Sequence, residues 1–271
     1  MIYIVGGSGA LGSSISSLYE ENEVKILNRK TYCDWVNRTS VRSIESYFKN
    51  DNDKSSIVFV ASGLLNPSLP FEELVKINHE LPKNIIKGVS NLGIRVVTFG
   101  SIMEGLSDCF NPYIRSKKLL GQHILDSPEQ TVHVTHFRLH TLYGKGKPKD
   151  FMFLGQIYEA LRNKNVMRMS SGRQLREYHH VNDDLKAIKI ALDANVSGLF
   201  DVNHGKPVFL SDLADHIFKH FGCEDLLKTG AISDNENDNY SEVCKRPKLL
   251  EEQQFRETFH GVICYLETLV S

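Results

Sequence analysis

Ile2-Tyr3-Ile4-Val5-Gly6-Gly7-Ser8-Gly9-Ala10-Leu11-Gly12 opens the chain. Four apolar residues run straight into closely spaced glycines and then into a helical pattern. Gly7, Gly9 and Gly12 satisfy G-x-G-x-x-G, and Gly6, Gly9 and Gly12 satisfy G-x-x-G-x-x-G. Glycines at these places permit a tight turn, close approach of backbone to a pyrophosphate, and close helix–strand packing, while the helix N-terminus faces the phosphates. An ordinary glycine turn would fit the motif alone; the strand before it and the helix after it favour the phosphate cradle. Gly6, Gly9, Ala10, Leu11 and Gly12 are its candidate contacts.

Outward from this turn, strands and helices alternate. The pattern predicts strands at Ile2–Val5, Val24–Leu27, 57–61, 94–99 and 132–139, with a short strand-like return at 199–202. The run at 57–61 is wholly apolar, as in a strand covered on both faces. Helices are expected over 10–19, over 69–92 with a kink at Pro82, and from Asn111-Pro112, where Asn caps and Pro takes the first helical position. Strands separated by helices imply a parallel sheet. The expected fold is therefore α/β, a doubly wound parallel sheet of Rossmann type with a smaller C-terminal substrate-binding lid. Residues 1–145 and about 176–203 would form the dinucleotide-binding domain; about 146–175 and 204–271 would form the lid. Gly144-Lys145-Gly146-Lys147-Pro148 punctuates the boundary. The stretch 234–239 reads as a polar surface loop, and the apolar stripes 210–221 and 255–269 as core or lid helices.

Composition sets bounds. The chain of 271 residues is 41% hydrophobic and 24% charged with a formal net charge of -1, which gives no argument for a nucleic-acid or membrane-surface partner. Five cysteines, at 33, 109, 223, 244 and 264, form no C-x-x-C pair, a pattern expected of reduced thiols in a cytoplasmic protein. No apolar run spans a bilayer, and a first strand starting at Ile2 leaves no room for a signal peptide.

The end of the second strand bears on the cofactor. An NAD site usually places Asp or Glu there for the ribose hydroxyls. Here Asn28-Arg29-Lys30 follows the strand. A guanidinium binds a 2′-phosphate that a carboxylate would repel, so NADP(H) is favoured over NAD(H), with Asn28 and Arg29 as candidate contacts; a solvated loop with Asp34 nearby is the rival reading.

In Tyr113-Ile114-Arg115-Ser116-Lys117, Tyr113 and Lys117 stand four apart on the expected helix and share a face. A free phenol has a pKa of about 10, and a neighbouring ammonium lowers it toward the range useful for proton transfer to a carbonyl oxygen. The pair follows the fourth strand, on the sheet edge where ligands of doubly wound folds bind.

With these motifs in place the chain resembles the extended short-chain dehydrogenases/reductases, in particular the NAD(P)-dependent sugar epimerase/dehydratase branch. The resemblance covers most of the chain. It is carried further by Phe99-Gly100-Ser101, by Asn78, by Phe137-Arg138-Leu139-His140-Thr141-Leu142-Tyr143-Gly144, by Gln174-Leu175-Arg176-Glu177-Tyr178-His179-His180-Val181-Asn182-Asp183 and by Leu199-Phe200-Asp201-Val202-Asn203. It implies that Ser101 hydrogen-bonds the substrate oxygen, Tyr113 exchanges the proton, and Lys117 lowers the phenol pKa and holds the nicotinamide ribose. It further implies that Ala61 and Gly63 line the cofactor with backbone and that Arg176 grips nucleotide-sugar phosphates. Thr141 stands where sugar-modifying relatives often carry a substrate-binding Asn.

Departures from the family narrow the reaction. Sugar 4,6-dehydratases follow the catalytic Ser or Thr with Asp-Glu; here Ile102-Met103 follows, and Glu104 comes one position late. Epimerase-reductases carry a Cys at the place of Met103, and a thioether takes no proton; Met103 is instead a candidate substrate contact. Simple carbonyl reduction and 4-epimerisation remain. The expected function is NADPH-dependent reduction of a keto group, at C4, of a nucleotide-linked deoxysugar, by a homodimer. A nucleotide-sugar 4-epimerase retaining NAD and a non-catalytic NADP-sensing module are the alternatives. His133 and His136, on a strand, are read as packing or capping residues; His179 and His180 are within reach of the substrate pocket but are read as structural; Cys109 is read as a thiol without a tuned environment, and no His/Asp/Cys set has metal-ligand spacing.

Overall fold

Short runs of Val, Ile, Leu and Phe become the strands of one parallel sheet in the computed structural model, which describes residues 1–49, 55–106 and 110–270. They are β1 (Ile2–Val5), β2 (Val24–Leu27), β3 (Ile57–Val60), β4 (Arg95–Ser101) and β5 (Val134–Leu139), with an edge strand at Gly198–Asp201. The order from that edge is Gly198–Asp201, β5, β4, β3, β1, β2. All neighbours are parallel, so Ile4 lies opposite both Ile26 and Phe59, and Phe99 opposite Phe137. The doubly wound α/β expectation holds. Successive strands run outward from β1 in one direction to β2 and in the other to β3, which makes the β1–β3 boundary the topological switch point where such sheets bind ligands.

Helices cover the sheet: α1 (Ala10–Ser16), α2 (Arg29–Tyr32), α3 (Val41–Lys49), α4 (Phe71–Val75), α5 (Leu81–Val89) and α6 (Pro112–Asp126). One core joins Tyr3, Val5, Trp35, Ile44, Phe48, Val58, Ile85 and Val96, with the Tyr3 and Phe48 rings edge-on at 5.0 Å. Helix α1 ends short of the expected residue 19. Ser13, Ser16 and Ser17 each turn a hydroxyl back to donate to a backbone carbonyl three residues earlier, a habit that competes with helix continuation.

The helix expected over 69–92 is broken in a different place from its proline. Lys76–Glu80 forms one π-helical turn between α4 and α5. Pro82 has no N–H to donate, and its ring crowds the carbonyl four residues back, which belongs to Asn78. The chain widens into the π turn there, and π turns of this kind cluster at functional positions.

The chain divides into two compact units, Met1–Leu139 with Ile188–Val202, and His140–Ala187 with Asn203–Ser271. Residues 140–145 and 176–187, expected with the first unit, group with the second; the later division falls inside α8 (Val181–Asp193). In the second unit α7 (Phe153–Asn163), α9 (Leu210–His220) and α10 (Thr258–Val270) bury Leu154, Ile157, Leu213, Ile217, Phe218, Val262 and Leu266 together. Three short strand pairs complete it: Thr141–Tyr143 with Tyr178–His180, Leu175–Arg176 with Val208–Phe209, and Met167–Arg168 with Leu227–Lys228. Among the described residues no helix is long and apolar enough to cross a membrane.

Candidate active site

The glycine turn sits at the switch point. Gly6 has φ +90, and a Cβ there would stand 2.4 Å from the Ser62 backbone nitrogen, just past β3; only glycine takes that conformation in that space. A Cβ on Gly12 would lie 2.3 Å from the Gly6 carbonyl oxygen, so helix α1 presses directly on the turn. Gly9 differs: its nearest neighbour would be that same oxygen at an ordinary 3.5 Å. Nothing described in the chain requires glycine at 9, whereas a pyrophosphate at the start of α1 would, and the cradle fits a dinucleotide on that ground. Gly12→Ala is expected to cost about 1–3 kcal/mol by overpacking and to lower Tm. Gly9→Ala is expected to leave Tm in place and to weaken nicotinamide nucleotide binding by roughly tenfold or more. Thermal melts and fluorescence titration separate the two. Ala10 and Leu11 open helix α1, and Ala61 N–H donates to the Val5 carbonyl at 2.8 Å, so the backbone at 61 continues the sheet edge beside the turn. Asn28 caps α2, accepting from Lys30 N–H at 3.0 Å, and Arg29 and Lys30 are exposed.

Helix α6 supplies the Tyr/Lys pair as its N-cap predicts: Asn111 Oδ1 accepts from Tyr113 N–H at 2.9 Å and Ile114 N–H at 3.4 Å. Asn78, presented by the π turn, ties this helix to the loop after β3. Its Nδ2 donates to Leu64 O and to Ser116 Oγ, both at 2.9 Å, and its Oδ1 accepts from Leu64 N–H at 2.9 Å. Ser116 Oγ donates in turn to the Tyr113 carbonyl at 2.7 Å. Gly63 completes the cluster; a Cβ there would meet Asn78 Oδ1 and Lys117 Nζ, each at 3.4 Å. Gly63, Asn78, Ser116 and Lys117 thus converge from three segments: the loop after β3, the π turn and α6.

Ser101 ends β4, nearly buried, and its Oγ accepts from Met103 N–H at 3.3 Å. Beneath it lies an arrangement the motif reading missed. Glu104 Oε1 accepts from Ser101 N–H at 2.6 Å. Its Oε2 lies 3.4 Å from His136 Nε2, and His136 Nδ1 lies 2.7 Å from Thr98 Oγ1. Glu104 and His136 are both buried. The pair fits because Gly100 and Gly121 carry no side chain: Cβ atoms there would stand 2.1 and 2.8 Å from the Glu104 carboxylate. Ser101-x-x-Glu104 is the capping-box spacing, the one sequence signal for this contact; nothing local marks His136 as its partner.

The electrostatics correct one expectation. Burial, and then the Glu104 carboxylate, hold the Tyr113 phenol well above its ordinary value. Burial pulls the Lys117 ammonium down to about 8, with Glu104 opposing. Lys117 Nζ donates to the Phe99 carbonyl at 2.8 Å. The expected lowering of the phenol by Lys117 is therefore absent in the protein alone: the ammonium is itself weakened by burial and aims at a carbonyl. Tyr113 is a protonated phenol at neutral pH, a donor rather than a base. Glu104→Gln keeps an oxygen for Ser101 N–H and removes the charge. It is expected to move any alkaline limb set by Lys117 down by about one pH unit; a pH profile of cofactor affinity checks this.

Thr141 and Arg176, the expected substrate contacts, belong to the second unit. Thr141 N–H donates to the Glu177 carbonyl at 3.3 Å. The Arg176 guanidinium pairs with Asp238 and donates to the Leu175 carbonyl at 2.9 Å. Asp238 lies in the polar stretch 234–239, so that stretch engages the guanidinium expected to meet phosphate. Met103 follows Ser101 in a single 3-10 turn, Ile102–Gly105. Cys109 lies outside the described residues.

The family model described as NAD dependent epimerase/dehydratase matches residues 2–203. No curated protein matches the chain in sequence. Solved structures align along nearly its whole length. A UDP-glucose 4-epimerase from Thermotoga maritima, with UDP-glucose, superposes with a TM-score of 0.79 at 14% identity, covering 99% of this chain and 98% of that one. A dTDP-4-dehydrorhamnose reductase from Bacillus anthracis, in complex with NADP, gives 0.75 at 14% identity and 98% of both chains. The Bordetella bronchiseptica enzyme WbmG, with NAD and UDP, gives 0.74 at 17% identity, covering 99% and 95%. At these identities the likeness speaks for the fold.

Proposed function

The chain belongs to the NAD dependent epimerase/dehydratase family, and on that premise we propose that it is an NADPH-dependent reductase of a keto group, at C4, of a nucleotide-linked deoxysugar. The reading rests on the cluster in which helix α6, tied through Ser116 to Asn78, brings Lys117 Nζ beside Gly63 and onto the Phe99 carbonyl one helical turn after Tyr113, whose phenol carries its proton at neutral pH. A carbonyl acquiring a hydride needs a proton from such a donor. NADPH, when bound, supplies the hydride. Ser101 at the end of β4 would orient the carbonyl oxygen, Tyr113 would give that oxygen its phenolic proton, and Lys117 would hold the nicotinamide ribose from within the Gly63–Asn78 cluster. Gly6, Gly9, Ala10, Leu11 and Gly12 would seat the pyrophosphate, and Ala61 and Gly63 would border the cofactor with backbone. Asn28 and the exposed Arg29 would take the 2′-phosphate. Met103, Thr141 and Arg176 would contact the substrate, with phosphate displacing Asp238 from the Arg176 guanidinium.

Dehydration finds no support. Ile102 and Met103 offer no acid or base, and the Glu104 carboxylate is committed to Ser101 N–H and His136. Deoxysugar biosynthesis in the cytoplasm, by a homodimer paired through α6 and its neighbour, belongs to the same reading; a monomer by light scattering would remove the dimer. The direct test is nicotinamide absorbance with NADPH, and separately NADH, against a panel of nucleotide-linked 4-keto-6-deoxy sugars. Consumption of NADPH with one member is expected. No consumption, with bound NAD surviving purification, would instead favour a cofactor-retaining 4-epimerase; no turnover of either kind would favour a cofactor-sensing module.

A further inference from the structure

Strand Tyr178–His180 and its flanks bury an unusual set of ionisable groups in the second unit. Glu177, His179 and Asp184 are each at most 2% exposed, and His204 is buried beside them. Three imidazoles converge on one oxygen. Glu177 Oε2 lies 3.0 Å from His179 Nε2, 3.6 Å from His140 Nε2 and 3.4 Å from His204 Nδ1. Glu177 is held in place by His204 N–H and Gly205 N–H, which donate to its two oxygens at 2.8 and 3.1 Å. Behind His179, Asp184 Oδ1 sits 2.6 Å from Nδ1. Two buried atoms of the cluster, Asp184 Oδ2 and His204 Nε2, have no hydrogen-bond partner among the described residues. Linear spacing hides the group: His140 directly precedes the strand Thr141–Tyr143, while Glu177 directly precedes, and His179 lies within, the strand Tyr178–His180 that pairs with it.

We infer that His140, Glu177 and His179 bind a divalent transition-metal ion of the zinc class, with Asp184 orienting His179. The ligand atoms of these three residues all lie within 4.8 Å of one another. A zinc ion about 2.0–2.1 Å from both His179 Nε2 and Glu177 Oε2 would subtend about 90–95° across 3.0 Å, and about 120° across 3.6 Å for His140, angles that a four-coordinate ion accepts with small adjustment. Imidazole nitrogens with one carboxylate suit zinc, cobalt and nickel better than calcium or magnesium. A carboxylate behind the first histidine is the usual outer partner of a metal-bound imidazole, fixing its tautomer and ring plane. In the metal-free arrangement the same place is filled by protons: those His179 and His140 direct from Nε2 toward Glu177 and toward Asn203 Oδ1, the latter at 2.8 Å. Binding replaces them: as one ion enters, His179 releases its Nε2 proton and keeps the one on Nδ1 for Asp184, while His140 shifts its proton from Nε2 to Nδ1, so both imidazoles bind neutral and the two buried carboxylates face a divalent charge. His204 is not counted as a ligand, because its Nδ1 already accepts from Lys206 N–H at 3.0 Å. The ion would tie the segment at 140 to the one at 177–179, a stabilising role that does not depend on the reaction proposed above.

The test uses the full chain, stripped by dialysis against EDTA and titrated with cobalt(II) or zinc(II) alone. One equivalent is expected to bind, cobalt giving a ligand-field spectrum that zinc abolishes, with Tm rising by several degrees. His179→Leu and Glu177→Gln are each expected to weaken binding at least tenfold. Because a buried variant can fail to fold, X-ray absorption on the wild-type zinc form gives a second reading: nitrogen and oxygen ligands with imidazole scattering and no sulfur. Failure of the wild-type chain to take up either ion, binding undiminished in folded variants, or a sulfur ligand such as Cys264 beside His260 would each overturn the site.

Discussion

Tyr113→Phe is expected to lower kcat about a thousandfold on whichever nucleotide-linked ketone the wild-type chain reduces, while leaving NADPH affinity and Tm nearly unchanged. The magnitude follows from removing a positioned proton donor, worth about 10²–10⁴ in rate. The selectivity follows from what Tyr113 does structurally. Its backbone N–H is capped by Asn111 and its carbonyl accepts from Ser116 Oγ, and a phenylalanine ring keeps both contacts. Stopped-flow reduction, cofactor titration and a melt on the same preparation check the three parts. A variant retaining wild-type kcat would remove Tyr113 from the proton transfer.

Lys117→Met is expected to abolish turnover and, unusually for an active-site change, to raise Tm. The ammonium is buried and its pKa pulled from 10.5 to about 8. A group whose folded pKa is depressed in this sense penalises the fold while both states are protonated, below about pH 8, and the penalty fades as pH climbs from there toward 10.5. The shift corresponds to roughly 3 kcal/mol, offset by about 1 kcal/mol for the lost hydrogen bond to the Phe99 carbonyl. A net gain of about 1–2 kcal/mol at pH 7, a few degrees in Tm for a chain this size, is expected, and it should shrink in melts taken at rising pH. Stability lost here would be a cost that function imposes.

How much of this was legible in the sequence depended on how local each cause is. The glycine turn, the Asn111–Pro112 helix start and the apolar strands are written in neighbouring residues, and the structure places them close to the expected bounds. The π turn at Lys76–Glu80 was not legible as such, because periodicity registers Pro82 as a break without saying which turn absorbs it. Helical spacing put Tyr113 and Lys117 on one face, yet spacing cannot say what an amine aims at; the Phe99 carbonyl is reached only through the packing of α6 on β4. The Glu104–His136 contact and the cluster around Glu177 join residues far apart in the chain, so strand pairing had to bring them together before their chemistry could be read.

Net hydride transfer from an exchanging NADPH, with Tyr113 as proton donor, separates the proposed reductase from its rivals. Its most direct measurement is label transfer: NADPH carrying deuterium at nicotinamide C4, the ketone found by the substrate panel, and mass spectrometry of the sugar product. With both C4 hydrogens labelled, one deuterium at the reduced carbon is expected for each NADPH consumed. Product formed without deuterium and without NADPH consumption would contradict it and would assign the chain to chemistry that keeps its cofactor bound.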